Sequence, residues 1–374
     1  MYKYFFLLFY FFSITFCSYS QTSFASDPEV EALLKESVDH IYSTDTEQLA
    51  LTARKVERRL PNHPVNFMIK AMSIRAAAYP IDPQSEEFEQ MRTYLKEAAR
   101  LSEEMLEDDP NKAEAHFFAL ASLGLLAMYE NDAGNTLRAL GYAKDSYAYL
   151  KRGFELKEKF PEFYMSTGLY NYYRVKYPEV RPVYQPFTWF FRDGDIKLGL
   201  EQLDEAYRRS IFMRPESAAY LSHIYLHYED QPQKALPYAR DMAESYPQNL
   251  SFVVSFLEAS IASEIFAGLD KRVKQLKNSQ KPYFKMTGQL FEAMLLEKRD
   301  RRWEEAERLY ARAIETGKQL NTDEAQNYRS YAYAGLARTA IAREEHEKAR
   351  NFYEKALAEA RYPLIEKEAK AYLE

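Results

Sequence analysis

The chain has 374 residues, of which 47% are hydrophobic and 28% charged, with only 11 glycines, 16 prolines and one cysteine. This composition excludes a disordered or collagen-like chain and a disulfide-linked framework, and at this length it favours a stack of helices over one globular core. Fifty lysines and arginines against 56 aspartates and glutamates give a net charge of −6, which offers no overall attraction to nucleic acid.

Residues 1–20 form the first predicted element, a secretory signal peptide. Lys3 supplies one positive charge, an apolar stretch follows over Tyr4–Ile14, and Ser18 and Ser20 are the small residues that precede a cleavage site. The apolar stretch is shorter than the roughly 20 residues that a membrane-spanning helix needs. We therefore expect an exported protein, located in the periplasm or associated with the outer membrane.

Other interpretations of this segment stay open. Cleavage after Ala25 is one, and an N-terminal segment that packs into the folded domain is another. A third is lipidation at Cys17, because a thiol at the end of an apolar core is typical of lipoprotein signals. Phe16 disfavours lipidation, since a small residue usually stands before the lipidated cysteine.

From residue 27 onward, apolar residues recur at helical spacing, and no alternating pattern predicts a strand. Pro61, Pro110 and Pro161 are 49 and 51 residues apart, which predicts long helical hairpins over 27–161. Two of their helices are expected at 85–107 and 135–159.

Two further regions follow. Residues 162–214 are predicted to form a helix pair with a loop insert at 177–194, because Pro178, Pro182 and Pro186 interrupt a continuous helix there and five aromatic residues cluster among them. Residues 215–374 are predicted to form shorter repeats, since prolines at 215, 247 and 282 are 32 and 35 residues apart.

A small–aromatic–small pattern recurs in the C-terminal region. The same offsets of four and three residues relate two sets: Ala306, Tyr310 and Ala313, then Ala349, Tyr353 and Ala356. This pattern resembles the second helix of the tetratricopeptide repeat, and Leu336 and Ala337 fit positions of its first helix. The resemblance implies an all-α fold, a right-handed solenoid of antiparallel helix pairs, with a groove on its concave face and no enclosed cavity.

A second resemblance covers about forty residues. The run 168–173, together with Gly194, Asp195 and Gly199, is similar to a pattern in secreted bacterial tetratricopeptide proteins of unassigned function.

The sequence shows little catalytic or metal-binding chemistry. His223 and His227 have the spacing of a zinc pair, but Ile224 stands where zinc hydrolases carry a glutamate, so we expect two partly buried, hydrogen-bonded histidines. Asp193 and Asp195 lack the other ligands of a calcium loop, and helix capping is the preferred interpretation. We predict no catalytic residues, no metal and no cofactor, and therefore no enzyme.

One basic run is the only dense positive patch in the sequence, and it has two interpretations. A solvated helix face is preferred over a contact with an anionic polymer or lipid. Its members are Lys271, Arg272, Lys274, Lys277, Lys281 and Lys285.

The functional hypothesis is a non-catalytic scaffold or adaptor of the bacterial cell envelope that binds a protein or peptide partner on its concave face. No nucleic acid is expected, and outer-membrane association is compatible with the signal. The predicted contact residues are aromatic: Tyr170, Tyr173, Tyr184, Trp189 and Phe190. The alternative is a binding protein for a small ligand or glycan beneath the aromatic insert.

Overall fold

A computed structural model describes residues 27–79, 81–180 and 192–374. These ranges contain seventeen α-helices and no strand. The helices are α1 Pro28–Ser43, α2 Thr46–Arg59, α3 Pro64–Ala78, α4 Glu86–Asp108, α5 Ala113–Asp132, α6 Thr136–Leu156, α7 Phe163–Val180, α8 Ile196–Arg209, α9 Arg214–His227, α10 Pro232–Ser245, α11 Leu250–Ala262, α12 Leu269–Lys277, α13 Pro282–Lys298, α14 Trp303–Gly317, α15 Asp323–Ala342, α16 His346–Glu359 and α17 Pro363–Leu373. None of them is both long and apolar enough to cross a membrane.

Helix boundaries follow from local capping chemistry. Asp27 accepts the backbone N–H groups of the first turn of α1, and Asp195 accepts that of Leu198 in α8, as the capping interpretation predicted. Proline occupies the first turn of several helices, including Pro215 in α9 and Pro282 in α13. A backbone N–H in the first turn forms no hydrogen bond within the helix, so its absence in proline costs nothing there. The long helices expected at 85–107 and 135–159 are α4 and α6.

One predicted helix end is wrong. The insert was expected to begin at residue 177, with Pro178 as its first helix breaker, but α7 continues through Pro178 to Val180. Since Pro178 lies in the last turn, it removes only one hydrogen bond and leaves little helix beyond it to disrupt. Of the rest of the predicted insert, residues 181–191 lie outside the described residues, and residues 192–194 precede α8 without regular secondary structure.

Consecutive helices pack as pairs, and the small–aromatic–small pattern forms the contacts between them. Ala306, Tyr310 and Ala313 on α14 are all buried. The ring of Tyr310 lies so close to Gly335 on α15 that a methyl group there would stand 2.2 Å from its Cζ atom. The hydroxyl of Tyr310 donates to Glu297, which also accepts from Arg338 at 2.6 Å. This packing makes the chain an all-α, tetratricopeptide-like solenoid.

The solenoid turns back on itself, which the sequence analysis did not anticipate. The ring of Tyr42 lies 5.7 Å from that of Tyr246, and the ring of Tyr79 lies 6.0 Å from that of Tyr283. The ammonium group of Lys281 donates to the carbonyl oxygens of residues 77 and 79 at the end of α3, at 2.7 and 2.9 Å. The inner face is therefore narrower than the predicted open groove, because α1 and the end of α3 contact the segment from the end of α10 to the start of α13.

Much of the basic run takes part in packing. Besides Lys281, Arg272 donates to the carbonyl oxygens of Ala243 and Pro247, and Lys277 forms an ion pair with Glu292. These cations bind groups of the same chain, so a solvated helix face describes only part of the run.

Candidate functional site

Two neighbouring cavities lie on the inner face of the solenoid, and the odd-numbered helices line both. The first, here named the polar cavity, has a volume of about 340 Å³ and is lined by α1, α3, α9, α11, α13, α15 and Tyr362 before α17. The second, the apolar cavity, has a volume of about 370 Å³ and is lined by α1, α3, α5, α7, α9 and residues just before α7 and α9. The polar cavity lies where α1 and α3 meet α11, α13 and α15, whereas the apolar cavity lies among α1–α9 alone.

An ion pair stands in the wall that the two cavities share. Arg75 on α3 forms two hydrogen bonds to the carboxylate of Glu216 on α9, at 2.5 and 3.4 Å, and the hydroxyl of Tyr42 donates to the same carboxylate at 2.6 Å. Burial acts to raise the pKa of Glu216, but Arg75 outweighs it and holds that pKa below its usual value. The pair is therefore charged and bridges the first and second halves of the chain.

The apolar cavity offers a flexible hydrophobic surface. Polar side chains at its edge are already paired: Glu162 accepts backbone N–H groups before α9, and Ser166 donates to the carbonyl of Phe163 at 3.1 Å. Because methionine is unbranched and polarisable, it adapts to varied apolar shapes. Five methionines line this cavity: Met68, Met72, Met128, Met165 and Met213.

Tyrosine rings and two neutral histidines line the polar cavity. The rings of His223 and His227 lie 4.5 Å apart, and each lies within 5 Å of the ring of Tyr362. Burial lowers the pKa of His227 to about 3 and that of His223 well below its usual value, so neither adds positive charge near neutral pH. Within the described ranges, no three histidine, cysteine or acidic side chains are grouped to hold a metal.

Glu258 on α11 is the buried acid of the polar cavity. Its Oε2 atom accepts from the hydroxyl of Tyr328 at 2.9 Å, and its Oε1 atom lies 3.6 Å from Nε2 of His227. Burial raises the pKa of this carboxyl to about 7. The hydroxyl of Tyr331 also lies within hydrogen-bonding reach of this carboxyl. Oγ of Ser222 and Oδ1 of Asn327 are buried oxygens that have no hydrogen-bond partner among the described residues.

The pKa of Glu258 predicts a pH-dependent stability. A carboxyl whose pKa is about 7 in the folded state and 4.5 in the unfolded state contributes stability that is complete below pH 4.5 and is lost as the pH rises through 7. We subtract the free energy of unfolding of Glu258→Gln from that of the wild type. This difference is expected to fall by about 2 kcal/mol as the pH rises from 4.5 to 7.

Urea denaturation at a series of pH values measures that difference. His227 acts in the opposite direction, because its lowered pKa removes stability as the pH falls below 6.5 toward 3. Subtracting the variant cancels this contribution, since both proteins retain the histidine. A difference between the wild type and Glu258→Gln that does not change between pH 4.5 and pH 7 would contradict the prediction.

Further carboxylates surround the opening of the polar cavity. Glu324 at the start of α15 lines it and forms no ion pair with any described residue. Burial, followed by the negative charges of Glu324 and Asp323, raises the pKa of Asp132 at the end of α5 to about 6. Asp323 itself accepts from Arg361 at 3.0 Å. The opening is therefore acidic.

The predicted contact residues do not line either cavity where the structure describes them. The hydroxyl of Tyr170 donates to the carbonyl of Arg192 at 2.6 Å, and its ring stacks on Tyr147. The ring of Tyr173 packs against Tyr177 and Tyr228 at 4.9 and 5.7 Å. Both serve aromatic packing around α7. Three other predicted contacts lie outside the described residues: Tyr184, Trp189 and Phe190.

The charged residues of the inner face are not among the residues that the sequence pattern predicted for the site. Glu258 carried a usable signal, because it is the only charged residue in α11, whose other residues are apolar or serine. A lone carboxylate in a buried helix is rare unless it has a partner or a function. Arg75 and Glu216 carried no comparable signal, since their pairing joins residues 141 positions apart.

Comparison with known proteins adds little. No family model and no curated protein matches the chain. Among solved structures, yeast Tom70 matches with 12% identity over 93% of this chain and 88% of that one, at a TM-score of 0.37. The human IFIT1 dimer with m7Gppp-AAAA matches with 14% identity over 92% and 76%, at a TM-score of 0.35. The class of the protein, a tetratricopeptide-like helical solenoid, therefore rests on its own helix packing.

Proposed function

We propose that this protein is a non-catalytic scaffold or adaptor of the bacterial cell envelope that binds a segment of a partner protein along its inner face. The observation that carries the proposal is the convergence of eight inner helices, from α1 to α15, on two adjoining cavities. A solenoid that presents a continuous concave surface is suited to hold an extended segment.

The two cavities differ in chemistry, and the difference favours a segment with mixed side chains. The apolar cavity suits an aliphatic or aromatic side chain, and the polar cavity, beyond the Arg75–Glu216 pair, suits a polar or charged one. In an extended peptide successive side chains point in opposite directions, so every second side chain faces the binding surface and can enter one of its pockets.

The geometry of Ser222 supports a role without catalysis. It lies next to His223 in sequence, yet its hydroxyl has no hydrogen-bond partner among the described residues. A serine nucleophile requires contact with a base that takes its proton. Ser222 forms no such contact with a described residue, which supports a binding role for this part of the inner face.

The envelope location is supported by the signal-like segment at residues 1–20, with lipidation at Cys17 as the alternative to cleavage. Fractionation of the native cells tests it. The protein should be found with the periplasm or the outer membrane, and recovery only with the cytoplasm would contradict the location.

Site-specific photocrosslinking in the native cells tests the binding function. A photoreactive phenylalanine analogue in place of Tyr220, which lines both cavities, is expected to form a discrete adduct with a partner protein. The same analogue in place of Arg350, exposed on the outer helix α16, is the matched control and should form none. Mass spectrometry then identifies the crosslinked segment. No adduct at Tyr220, or equal adducts at both positions, would count against the proposal.

A small-ligand binding protein is the second candidate function. The cavity volumes of about 340 and 370 Å³ favour it, because ligand pockets typically measure roughly 300–1,000 Å³. The sequence-based form of this alternative placed the ligand beneath the aromatic insert, part of which lies outside the described residues. Saturable thermal stabilisation by one compound from a metabolite and sugar panel would favour this function over a protein segment.

A further inference from the structure

The polar cavity carries excess negative charge. Glu324 lines it without a lysine or arginine partner among the described residues, and Asp132 lies near Glu324. Glu258 adds a second negative charge in the fraction of molecules in which its carboxyl, whose pKa is about 7, is ionised. The one basic residue that lines it, Arg75, is already bound to Glu216. Its histidines are neutral, so they do not offset the carboxylates near neutral pH.

Aromatic rings surround this charge. Tyr283 lies between Tyr79 and Tyr328, with ring centroids 6.0 and 6.2 Å away. Elsewhere in the described structure, cations of the chain lie over aromatic rings, as Lys234 lies over Tyr225 at 5.6 Å, but none is found over the rings of the polar cavity. A ring face attracts a cation electrostatically, and the attraction strengthens when water is excluded.

The unpaired groups of the cavity are predominantly acceptors. Ser222 and Asn327 each line it and each hold a buried oxygen that no described group satisfies, and the carboxylate of Glu258 beside them accepts only from tyrosine hydroxyls. An unsatisfied buried oxygen costs free energy, which a ligand that donates hydrogen bonds recovers. An ammonium group has three donors and no acceptor.

We propose that the polar cavity binds a primary ammonium group, carried either by a lysine side chain of the partner segment or by a free alkyl amine. The lysine source rests on the proposed function, whereas the recognition of the ammonium group rests on the carboxylates, the rings and the acceptor oxygens alone. An anionic ligand would face Glu258 and Glu324, and its natural partner Arg75 is occupied.

Isothermal titration calorimetry with defined probes tests the proposal. One arm uses pentane-1,5-diamine, and the other uses the blocked tripeptide acetyl-Gly-Lys-Gly-amide; pentan-1-ol and the same tripeptide with acetylated lysine are the uncharged controls. We expect at least one charged probe to bind at least about tenfold more tightly than its uncharged control. Binding of the diamine alone assigns a free amine, binding of the tripeptide alone assigns a lysine, and binding of both shows that the ammonium group suffices.

Matched variants locate the bound probe. Glu324→Gln, which removes a carboxylate that holds no ion pair, and Glu258→Gln are each expected to weaken binding by about tenfold. Glu244→Gln on the outer surface should leave it unchanged. Circular dichroism identifies any variant that does not fold, and Glu324→Gln decides the result if Glu258→Gln fails this check.

Two results would overturn the proposal: no preference for a charged probe, or equal binding by Glu324→Gln and the wild type. A crosslinked partner at Tyr220 without ammonium binding would leave the scaffold function standing. If an ammonium probe binds but no partner is crosslinked, the scaffold function is contradicted, and the polar cavity is still a binding site for a free amine.

Discussion

Replacing Glu162 by alanine is expected to lower the free energy of unfolding by about 3 kcal/mol, because it leaves a group of backbone N–H donors unpaired. The carboxylate is 4% exposed and accepts from Ile211 at 2.6 Å and from Phe212 and Met213 at 3.2 Å. These residues lead into α9, so one side chain before α7 fixes the start of a helix about fifty residues later.

Urea denaturation followed by far-ultraviolet circular dichroism measures the loss. Glu162→Gln retains one carbonyl acceptor and should lose about half as much, whereas Glu244→Ala on the exposed side of α10 should change stability by less than about 0.5 kcal/mol. Hydrogen exchange at the three amides gives a local readout, since they should lose protection first. If Glu162→Ala unfolds at the same urea concentration as the wild type, this capping role is refuted.

Replacing Glu216 by alanine is expected to cost about 3 kcal/mol, since it leaves Arg75 in the wall between the cavities without its counter-charge. Tyr42 loses its acceptor in the same variant. The double variant Glu216→Leu, Arg75→Met removes both charges and should recover most of the stability, because a buried ion pair exchanged for apolar side chains is often neutral.

The ion pair between Arg59 and Glu29 is the matched control, since it also joins two helices but is largely exposed. Glu29→Ala should cost less than about 1 kcal/mol because solvent screens such pairs. Both comparisons are made by urea denaturation at neutral pH. If Glu216→Ala is as stable as Glu29→Ala, then solvent screens Arg75 in the wall between the cavities, and the prediction is contradicted.

The helix boundaries and the packing between neighbouring repeats were predictable from the sequence, because both depend on local contacts. The offsets of Ala306, Tyr310 and Ala313 encode a helix crossing that involves only neighbouring repeats, and prolines mark helix starts through a purely local effect. The closure of the solenoid was not predictable in this way. It depends on small rotations that add up over many repeats, and the contact of Lys281 with the end of α3 follows from their sum.

The candidate site was less predictable for the same reason. Tyr170 and Tyr173 were selected because aromatic residues often bind partners, but such residues equally fill the space between helices, and here they do so. The cavities bring together side chains from distant repeats. Only Glu258, a lone charge in an apolar helix, pointed to the inner face from its local sequence.

The contact between Lys281 and the end of α3 also sets an order of events during biosynthesis. Lys281 follows Ala77 by 204 residues, so a ribosome must extend the nascent chain past α12 before the two can meet. The apolar cavity can form before that point, because every residue that lines it lies between Val38 and Tyr220. The polar cavity is completed only afterwards, since Tyr283, Glu324 and Tyr362 also line it.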